Sequence, residues 1–394
     1  IQLNICFVTQ EYPPDTDWGG IATYYAETSL ALKNNGHNVI VICRSIDNKD
    51  YHYIDNNGIH IYRICPPKIF THIPYFSKRI QKIWDGYQLK IAVILNALTK
   101  TKKIDLIETP SINGETIFFQ LLYPNFPVIT RVHGLPHLVN KHNNLKFNMA
   151  NKIKEILSIA SIKKIHGIST VSKIMKRKLI RSMDYNKKVK VIYNSISIPE
   201  NVNNNRRKID ILYVGRLELR KGTHIFIDSL KSIFQKSPNI NVVIIGKDGT
   251  GPNGKSMSNY LYETVAHRDI DKITLKGQMP REQVLEFYKK SKLLVFPSVW
   301  EPFGYSIIEA MVNGVPVIAT KCGGPEEIII HGKTGILVNV HDSEGLGNQI
   351  TELLNNPKTR NIFAVNALNI VNEKFDSKII AQKIIKFYEG FIAK

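Results

Sequence analysis

The 394-residue chain carries 53 Lys and Arg against 33 Asp and Glu, a net charge of +20, and is 43% hydrophobic and 22% charged. This length predicts two or three domains of ordinary globular composition. No run approaches the roughly 18 apolar residues of a membrane span, and no signal peptide precedes the core-like run Gln2 to Val8, so a cytoplasmic chain is expected. Cys6, Cys43, Cys65 and Cys322 are far apart, without CxxC spacing. They read as small buried thiols of a reducing compartment, not as a disulfide or zinc framework.

In chain order, Asn4 to Thr9 predicts a buried strand. It leads through Gln10-Glu-Tyr-Pro-Pro and a polar loop to Gly19-Gly20 and a helix from Ile21 to Asn34, ended by Gly36; Asn38 to Cys43 is the next strand. Strand, glycine-rich turn, helix and strand make a Rossmann-like beginning, but GxGxxG is absent, so a dinucleotide fingerprint is not supported. Gly19 and Gly20, lacking a Cβ, suit close backbone approach to a ligand or a plain tight turn. Asp15-Thr-Asp17 has the form of a metal-binding DxD. It does not follow a strand as such a motif would, so it reads as loop and no metal is expected.

Gly58 to Ile64 alternates as a strand does, Phe76 to Lys103 is a helical stretch, and Ile104 to Glu108 and Val128 to Val132 are further strands. Val132 leads into His133-Gly134, a histidine at the strand end where α/β folds bind ligands. Residues 141–183 read as helical. Residues 141–190 hold 14 Lys and Arg against 2 Asp and Glu, and in Lys173 to Met183 the basic side chains Lys173, Lys176, Arg177 and Arg181 share one face while Met175, Leu179 and Met183 share another. A basic amphipathic helix of this kind suits an anionic membrane surface, or is a solvated face over an ordinary packed helix. The surplus lacks interleaved aromatics, so no nucleic-acid partner is expected. Val189 to Tyr193 closes the first domain, and the asparagine-rich stretch Asn194 to Arg207 is the linker.

Ile209 to Val214 opens a second domain, and its strand enters Gly215-Arg216-Leu-Glu-Leu-Arg-Lys221-Gly222. Asn241 to Ile245 is a strand ending at Gly246, and Ile273 to Leu275 is a strand ending at Gly277-Gln278-Met279. Arg281 to Ser291 is an amphipathic helix. The apolar run Leu293 to Phe296 stops at Pro297; Pro302-Phe303-Gly304 opens a helix carrying Ile307, Ile308 and Met311, and Val315 to Ala319 follows Gly314 as a buried strand. This is a βαβ unit, which needs a parallel sheet. Glu301 and Glu309 flank the helix start. Were both helical, they would lie about 12 Å apart along the axis, beyond the ~5–9.5 Å of paired glycosidase carboxylates. Two such carboxylates with helix-start amides between them suit different parts of one long ligand bearing an anionic group, while spacing alone also fits an amphipathic helix with two exposed glutamates. Ser377 to Phe391 is the final helix.

Glu301-Pro-Phe-Gly-Tyr-Ser-Ile-Ile-Glu309, followed by Ala310-Met311, Gly314-Val-Pro-Val and Gly323-Gly324, resembles the E-x7-E signature of the retaining glycosyltransferases of family 4, and Gly215-Arg216 with Lys221-Gly222 resembles that family's GR…KG loop. The resemblance implies the α/β GT-B fold, two Rossmann-like domains with parallel sheets facing an interdomain cleft. It places the acceptor-binding domain in residues 1–200, with the helix of 377–394 crossing back onto it, and the nucleotide-sugar domain in 201–376. It implies that Glu301 contacts the donor sugar, Glu309 holds the ribose, Arg216 and Lys221 hold the diphosphate, and His133 contacts the sugar near the reaction centre. The loop of Gly19 and Gly20 would approach the diphosphate, loops at Gly246, Gln278 and Met279 would line the base pocket, and Phe303, Gly304, Tyr305 and Ser306 would line the donor site between the glutamates. The implied reaction is transfer of a hexosyl unit, from a UDP-sugar ahead of GDP-mannose, to a saccharide or lipid-linked acceptor in cell-surface polysaccharide, lipopolysaccharide or glycolipid synthesis. No cofactor beyond the nucleotide-sugar co-substrate and no metal is implied. A peripheral place on the cytoplasmic membrane face is expected from the basic segment. A GT-B nucleotide-sugar 2-epimerase or hydrolase, or a transferase acting on a soluble acceptor, would share the same architecture.

Overall fold

The computed structural model describes residues 2–16, 19–47, 49–67, 86–144, 149–183, 188–199 and 207–392. The chain divides into two compact units: Ile1–Leu138, Lys146–Ser195 and Ser377–Lys394 form one, and Val139–Leu145 with Ile196–Asp376 form the other.

The first unit is built on β1 (Asn4–Val8), β2 (Asn38–Arg44), β3 (Tyr51–Ile54), β4 (His60–Ile64), β5 (Leu106–Pro110), β6 (Val128–Val132), β7 (Gly167–Thr170) and β8 (Val189–Val191). They form one sheet in the order β3-β4-β2-β1-β5-β6-β7-β8. Every pairing is parallel except β3 with β4, and Phe7 sits between Val41 and Glu108 in register. Central strands are buried along their length apart from the half-buried Asn4 that begins β1, as parallel strands covered on both faces must be. The unit's helices are α1 (Gly20–Asn34), α2 (Tyr87–Thr101), α3 (Ile117–Leu122), the first turn of α4 (Pro136–His142, whose residues from Val139 on belong to the second unit), α5 (Met149–Lys163), α6 (Lys173–Met183) and the terminal helix Ser377–Tyr388. A buried polar network ties that terminal helix to the sheet. Tyr24 and Tyr388 hydroxyls donate to Glu108 at 3.0 and 2.7 Å. The Arg131 guanidinium lies 4.1 Å over the Tyr24 ring and donates to Ile192 O at 2.8 Å and Asn194 Oδ1 at 2.9 Å.

The second unit has a purely parallel sheet of β9 (Ile209–Val214), β10 (Val242–Ile245), β11 (Ile273–Leu275), β12 (Ser291–Phe296), β13 (Val317–Thr320) and β14 (Ile336–Val338), in the order β11-β10-β9-β12-β13-β14. Its helices are α7 (Thr223–Lys236), α8 (Met257–Thr264), α9 (His267–Ile270), α10 (Arg281–Lys289), α11 (Tyr305–Val312), α12 (Pro325–Ile328), α13 (Ser343–Asn355) and α14 (Pro357–Lys374). The core lies between sheet and helices, with Ile225, Phe226, Leu230 and Ile233 of α7 packed with Ile211, Tyr213, Leu293 and Val295 of the strands and Leu346 and Ile350 of α13. Strand order reverses between β9 and β12, and in doubly wound sheets ligands bind beyond the strand ends at that reversal.

Two expectations are corrected and one strand is added. The stretch 141–183 is not continuously helical: β7 interrupts it, a four-residue buried strand whose Gly167–Thr170 run is too short to register as a period. Tyr51–Ile54, which carried no assignment, is an antiparallel edge strand. The helix placed over Phe76 to Lys103 is seen as Tyr87–Thr101; residues 76–85 lie outside the described residues.

Candidate active site

The two loops at the reversal in the second unit interlock. After β9 the chain turns through Gly215–Glu218 into a single 3-10 turn, Leu219–Lys221, that ends at Gly222. Gly222 has φ +65° and stands so close to the loop after β12 that a Cβ would lie 1.8 Å from the Pro297 carbonyl oxygen. Only glycine meets both conditions. Val299 N donates to the Arg220 carbonyl at 2.8 Å. These contacts deliver Lys221 to Glu301, Nζ to Oε2 2.5 Å.

Glu301 is not helical, which corrects the premise of the 12 Å estimate. It pairs with the backbone of the loop after β13: its amide donates to Cys322 O at 3.2 Å and its carbonyl accepts from Gly324 N at 2.8 Å. The side chain is nearly enclosed, and Arg220 Nη1 approaches Oε2 to 3.6 Å. Burial works to raise the Glu301 carboxyl, but Lys221 and then Arg220 outweigh it and hold the group ionised below its usual range. Burial pulls the Lys221 ammonium below its usual value despite Glu301.

The three cations of this turn divide their roles. Arg220 is buried and committed, donating to Glu218 at 2.8 and 3.1 Å and to Trp300 O at 3.2 Å. Arg216 is the exposed one, with 59% of its side chain open and only a 3.4 Å contact to Glu218. The turn is held further by a segment expected in the first domain. Asn143 Oδ1 accepts from Arg220 N at 2.9 Å, and His142 stacks on Trp300 at 6.0 Å. Val139–Leu145 thus belongs to the second unit.

Glu309, in α11, is buried and engaged within the protein. Arg281 Nε donates to its Oε1 at 2.7 Å and Tyr288 OH to its Oε2 at 3.2 Å. Arg281 and Tyr288 are seven residues apart on α10, hence on one face. That spacing was the available signal for both, which sequence reasoning missed. Gly304 precedes α11 with no side chain capping the helix, and Ser306 Oγ donates to Val214 O at 3.4 Å. Phe303 is buried against Tyr305 and Phe375. A Cβ on Gly246 would lie 1.9 Å from Gly215 O, and Gly246 N donates to Gly277 O at 2.8 Å. Those contacts bring the loop of exposed Gln278 and half-buried Met279 beside Gly246.

The stretch after β10 also spells the G-x4-G-K-S spacing of phosphate loops, Gly249 to Ser256, between a strand and a helix. Its geometry is different. Gly251 N donates to Lys255 O, Gly254 N to Gly251 O and Met257 N to Gly249 O, so these amides are spent on a hairpin, and Lys255 pairs with Glu263.

In the first unit, the loops after β1 and β5 flank a second reversal. Gly19 and Gly20 begin α1; Gly19 has an ordinary φ of −93°, and a Cβ on it would lie 3.0 Å from Glu11 Oε2. His133 follows β6 and packs edge-on to Tyr24 at 4.9 Å, with its Nε2 buried and without a hydrogen-bond partner among the described residues. Burial, and then the Arg131 charge, hold this imidazole neutral, well below its usual value. Asp15 is taken by Arg63 at 3.1 Å and Tyr51 at 2.8 Å, and Asp17 lies outside the described residues.

Comparison with known proteins agrees with this architecture. The family model for glycosyl transferases group 1 matches residues 195–369, and that for Glycosyltransferase Family 4 matches residues 18–198. An uncharacterized glycosyltransferase of Methanocaldococcus jannaschii is 27% identical over 98% of both chains. A second from the same organism is 30% identical over 65% of this chain and 69% of its own length. Among solved structures, the sucrose-phosphate synthase of Thermosynechococcus elongatus superposes with a TM-score of 0.77 at 21% identity, covering 99% of each chain. The chain belongs to the family 4 glycosyltransferases and has their GT-B fold.

Proposed function

We propose that this glycosyltransferase moves a hexosyl unit from a nucleotide diphosphate sugar to a saccharide acceptor with retention of anomeric configuration. The observation that carries the reading is the Lys221–Glu301 pair at the reversal of the second sheet, 2.5 Å apart, with exposed Arg216 on the same turn. Lys221 and Arg216 hold the diphosphate and offset charge growing on the departing phosphate. The uncapped start of α11 adds a positive dipole end beside them. Glu301, kept ionised, orients the donor sugar through its hydroxyls and is not a nucleophile. Glu309 keeps acceptor capacity for a ribose hydroxyl, because a carboxylate offers about four lone-pair sites and two are used by Arg281 and Tyr288. Neutral His133 can donate or accept at the sugar. Retention follows a front-face path, the leaving phosphate oxygen helping to deprotonate the acceptor hydroxyl. This field needs no metal.

The donor is a UDP-sugar ahead of GDP-mannose, and the product belongs to cell-surface polysaccharide, lipopolysaccharide or glycolipid synthesis. The acceptor is lipid-linked or otherwise membrane-held, the enzyme docking peripherally on an anionic surface. Among the described residues no helix is long and apolar enough to cross a membrane. On α6, Met175 and Leu179 are buried while Lys173, Arg177 and Arg181 are exposed, so its basic face is presented outward. Incubation with a panel of nucleotide sugars, with and without a lipid-linked saccharide, tests the reading. It predicts acceptor-dependent release of nucleoside diphosphate and an α-linked product from an α-linked donor. Acceptor-independent epimerisation of the sugar would overturn it in favour of a 2-epimerase.

A further inference from the structure

The helices α2, α3 and α5 of the first unit lie side by side, α2 packing on α3 and α3 on α5. Their inner faces are ordinary core: Ile91, Leu95 and Leu98 of α2 and Ile117 and Phe119 of α3 are buried. Their outer faces are not polar. Leu89 and Val93, one turn apart on α2, are 43% and 70% exposed; Leu121 and Leu122 on α3 are 49% and 67% exposed, and Ile156 on α5 is 63% exposed. Tyr123, at the end of α3, is held to α2 by a 2.7 Å hydrogen bond to Asn96. Single exposed apolar side chains are normal on any protein. Here six of the thirteen exposed large hydrophobics among the described residues gather on three helices of 15, 6 and 15 residues and their caps.

Charge around these helices is mostly positive, the carboxylate Asp50 being paired with Lys90 of α2 at 2.7 Å. No Asp or Glu occurs from Gly86 to Ile104 or from Thr116 to Phe126. Lys100, Lys102 and Lys103 end α2, and exposed Lys152 and Lys163 stand four residues before and seven after Ile156, on its outer face. The carboxylate on this part of α5, Glu155, sits 3.4 Å from His137. Apolar tips edged by lysine, with the nearby carboxylates Asp50 and Glu155 each held by a basic side chain, match an interface whose outer layer is anionic and whose next layer is hydrocarbon.

We propose that the outer faces of α2, α3 and α5 are a membrane-docking surface, whose apolar side chains enter the headgroup layer of an anionic bilayer. The inference rests on the peripheral-membrane reading above and changes its physics. Docking by basic residues alone is reversed by salt, whereas inserted apolar side chains leave a salt-resistant fraction.

The test is co-sedimentation of the whole protein with vesicles of phosphatidylcholine alone or with about one third phosphatidylglycerol, a content that sets up an anionic surface potential. It is run at low and high salt, for the wild type and for Leu89→Asp/Val93→Asp/Leu122→Asp. All three positions are solvent-exposed, so circular dichroism and donor hydrolysis should not change. The expected result is binding to anionic vesicles that partly survives high salt in the wild type, with a partition coefficient lower by roughly tenfold or more in the variant. Wild-type binding that the variant retains in full would overturn this surface and leave the basic α6 as the docking element. No wild-type binding at low salt would sink the peripheral-membrane reading and this surface together. A wild-type dimer that the variant turns into a monomer, with vesicle binding unchanged, would assign the face to a second copy of the chain and overturn the proposal.

Discussion

Replacing Glu301 by glutamine isolates the charge at the centre of the site. The carboxylate faces Lys221 at 2.5 Å and Arg220 at 3.6 Å, and the three side chains are 12%, 19% and 6% exposed. Leaving a buried cation without its counter-charge costs about 3–5 kcal/mol. The glutamine carbonyl can still accept from Lys221, and a hydrogen bond to a charged group restores about 1.5–3 kcal/mol. The net loss is therefore about 2 kcal/mol, which for a domain of 150–250 residues lowers Tm by about 4–8 °C. The effect has a defined pH dependence. Burial works to raise the Glu301 carboxyl, but Lys221 and Arg220 hold it below its usual value. The ionised pair therefore contributes its full stability above the ordinary glutamate value of about 4.3 and loses it as pH falls through the lower folded value. The Tm gap between wild type and Glu301→Gln should be widest at pH 7 and should close only in acid below that lowered folded value. Melting curves followed by circular dichroism at pH 7 and in acid measure it, and kcat at pH 7 should fall by roughly 10² or more. A gap that persists unchanged in acid, or no gap at pH 7, would refute the pairing argument.

Three further outcomes follow from the same geometry. Gly222→Ala should destabilise the second unit by several kcal/mol and abolish turnover, because its Cβ would stand 1.8 Å from Pro297 O at a φ of +65°; a stable, active variant would show that the two loops separate readily. Arg281→Ala should raise the donor KM about tenfold with kcat little changed, the pattern of lost uniform binding, since Glu309 loses its 2.7 Å anchor; an equal fall in kcat would place Arg281 in the transition state instead. Activity should survive EDTA, because Arg216 and Lys221 supply the positive field a metal gives elsewhere; loss restored by Mn²⁺ would make Asp15 and Asp17 candidate ligands.

The second unit was the more legible half, for a physical reason. Buried parallel strands such as Leu293–Phe296 are continuous apolar runs stopped by Pro or Gly, and the loops that follow them carry the candidate site residues, so sequence order and spatial order coincide. Lys221 could be separated from Arg220 by pattern, and the structure shows Arg220 enclosed by Glu218 and Trp300. What spacing could not show was which carboxylate lies in a helix. Glu301 takes extended backbone against Gly323, a long-range pairing invisible to local periodicity. The same limit hid Asn143 and His142, whose contacts lie 77 and 158 positions away along the chain. In the first unit the edge strand Tyr51–Ile54 and the short buried Gly167–Thr170 carried too few residues to reveal a period. Neutral His133 was legible by its place after a strand, but its enclosure by Tyr24 and Tyr25 was not.

The central claim is that Lys221, beside Glu301, receives the diphosphate of a nucleotide-sugar donor. Isothermal titration of UDP, GDP and ADP into the wild type and into Lys221→Ala, without metal, tests it most directly. The account predicts that one nucleoside diphosphate binds the wild type and that Lys221→Ala, folded by circular dichroism, binds it at least tenfold more weakly, a loss of about 1.4 kcal/mol or more. Equal affinity in the two proteins would contradict it.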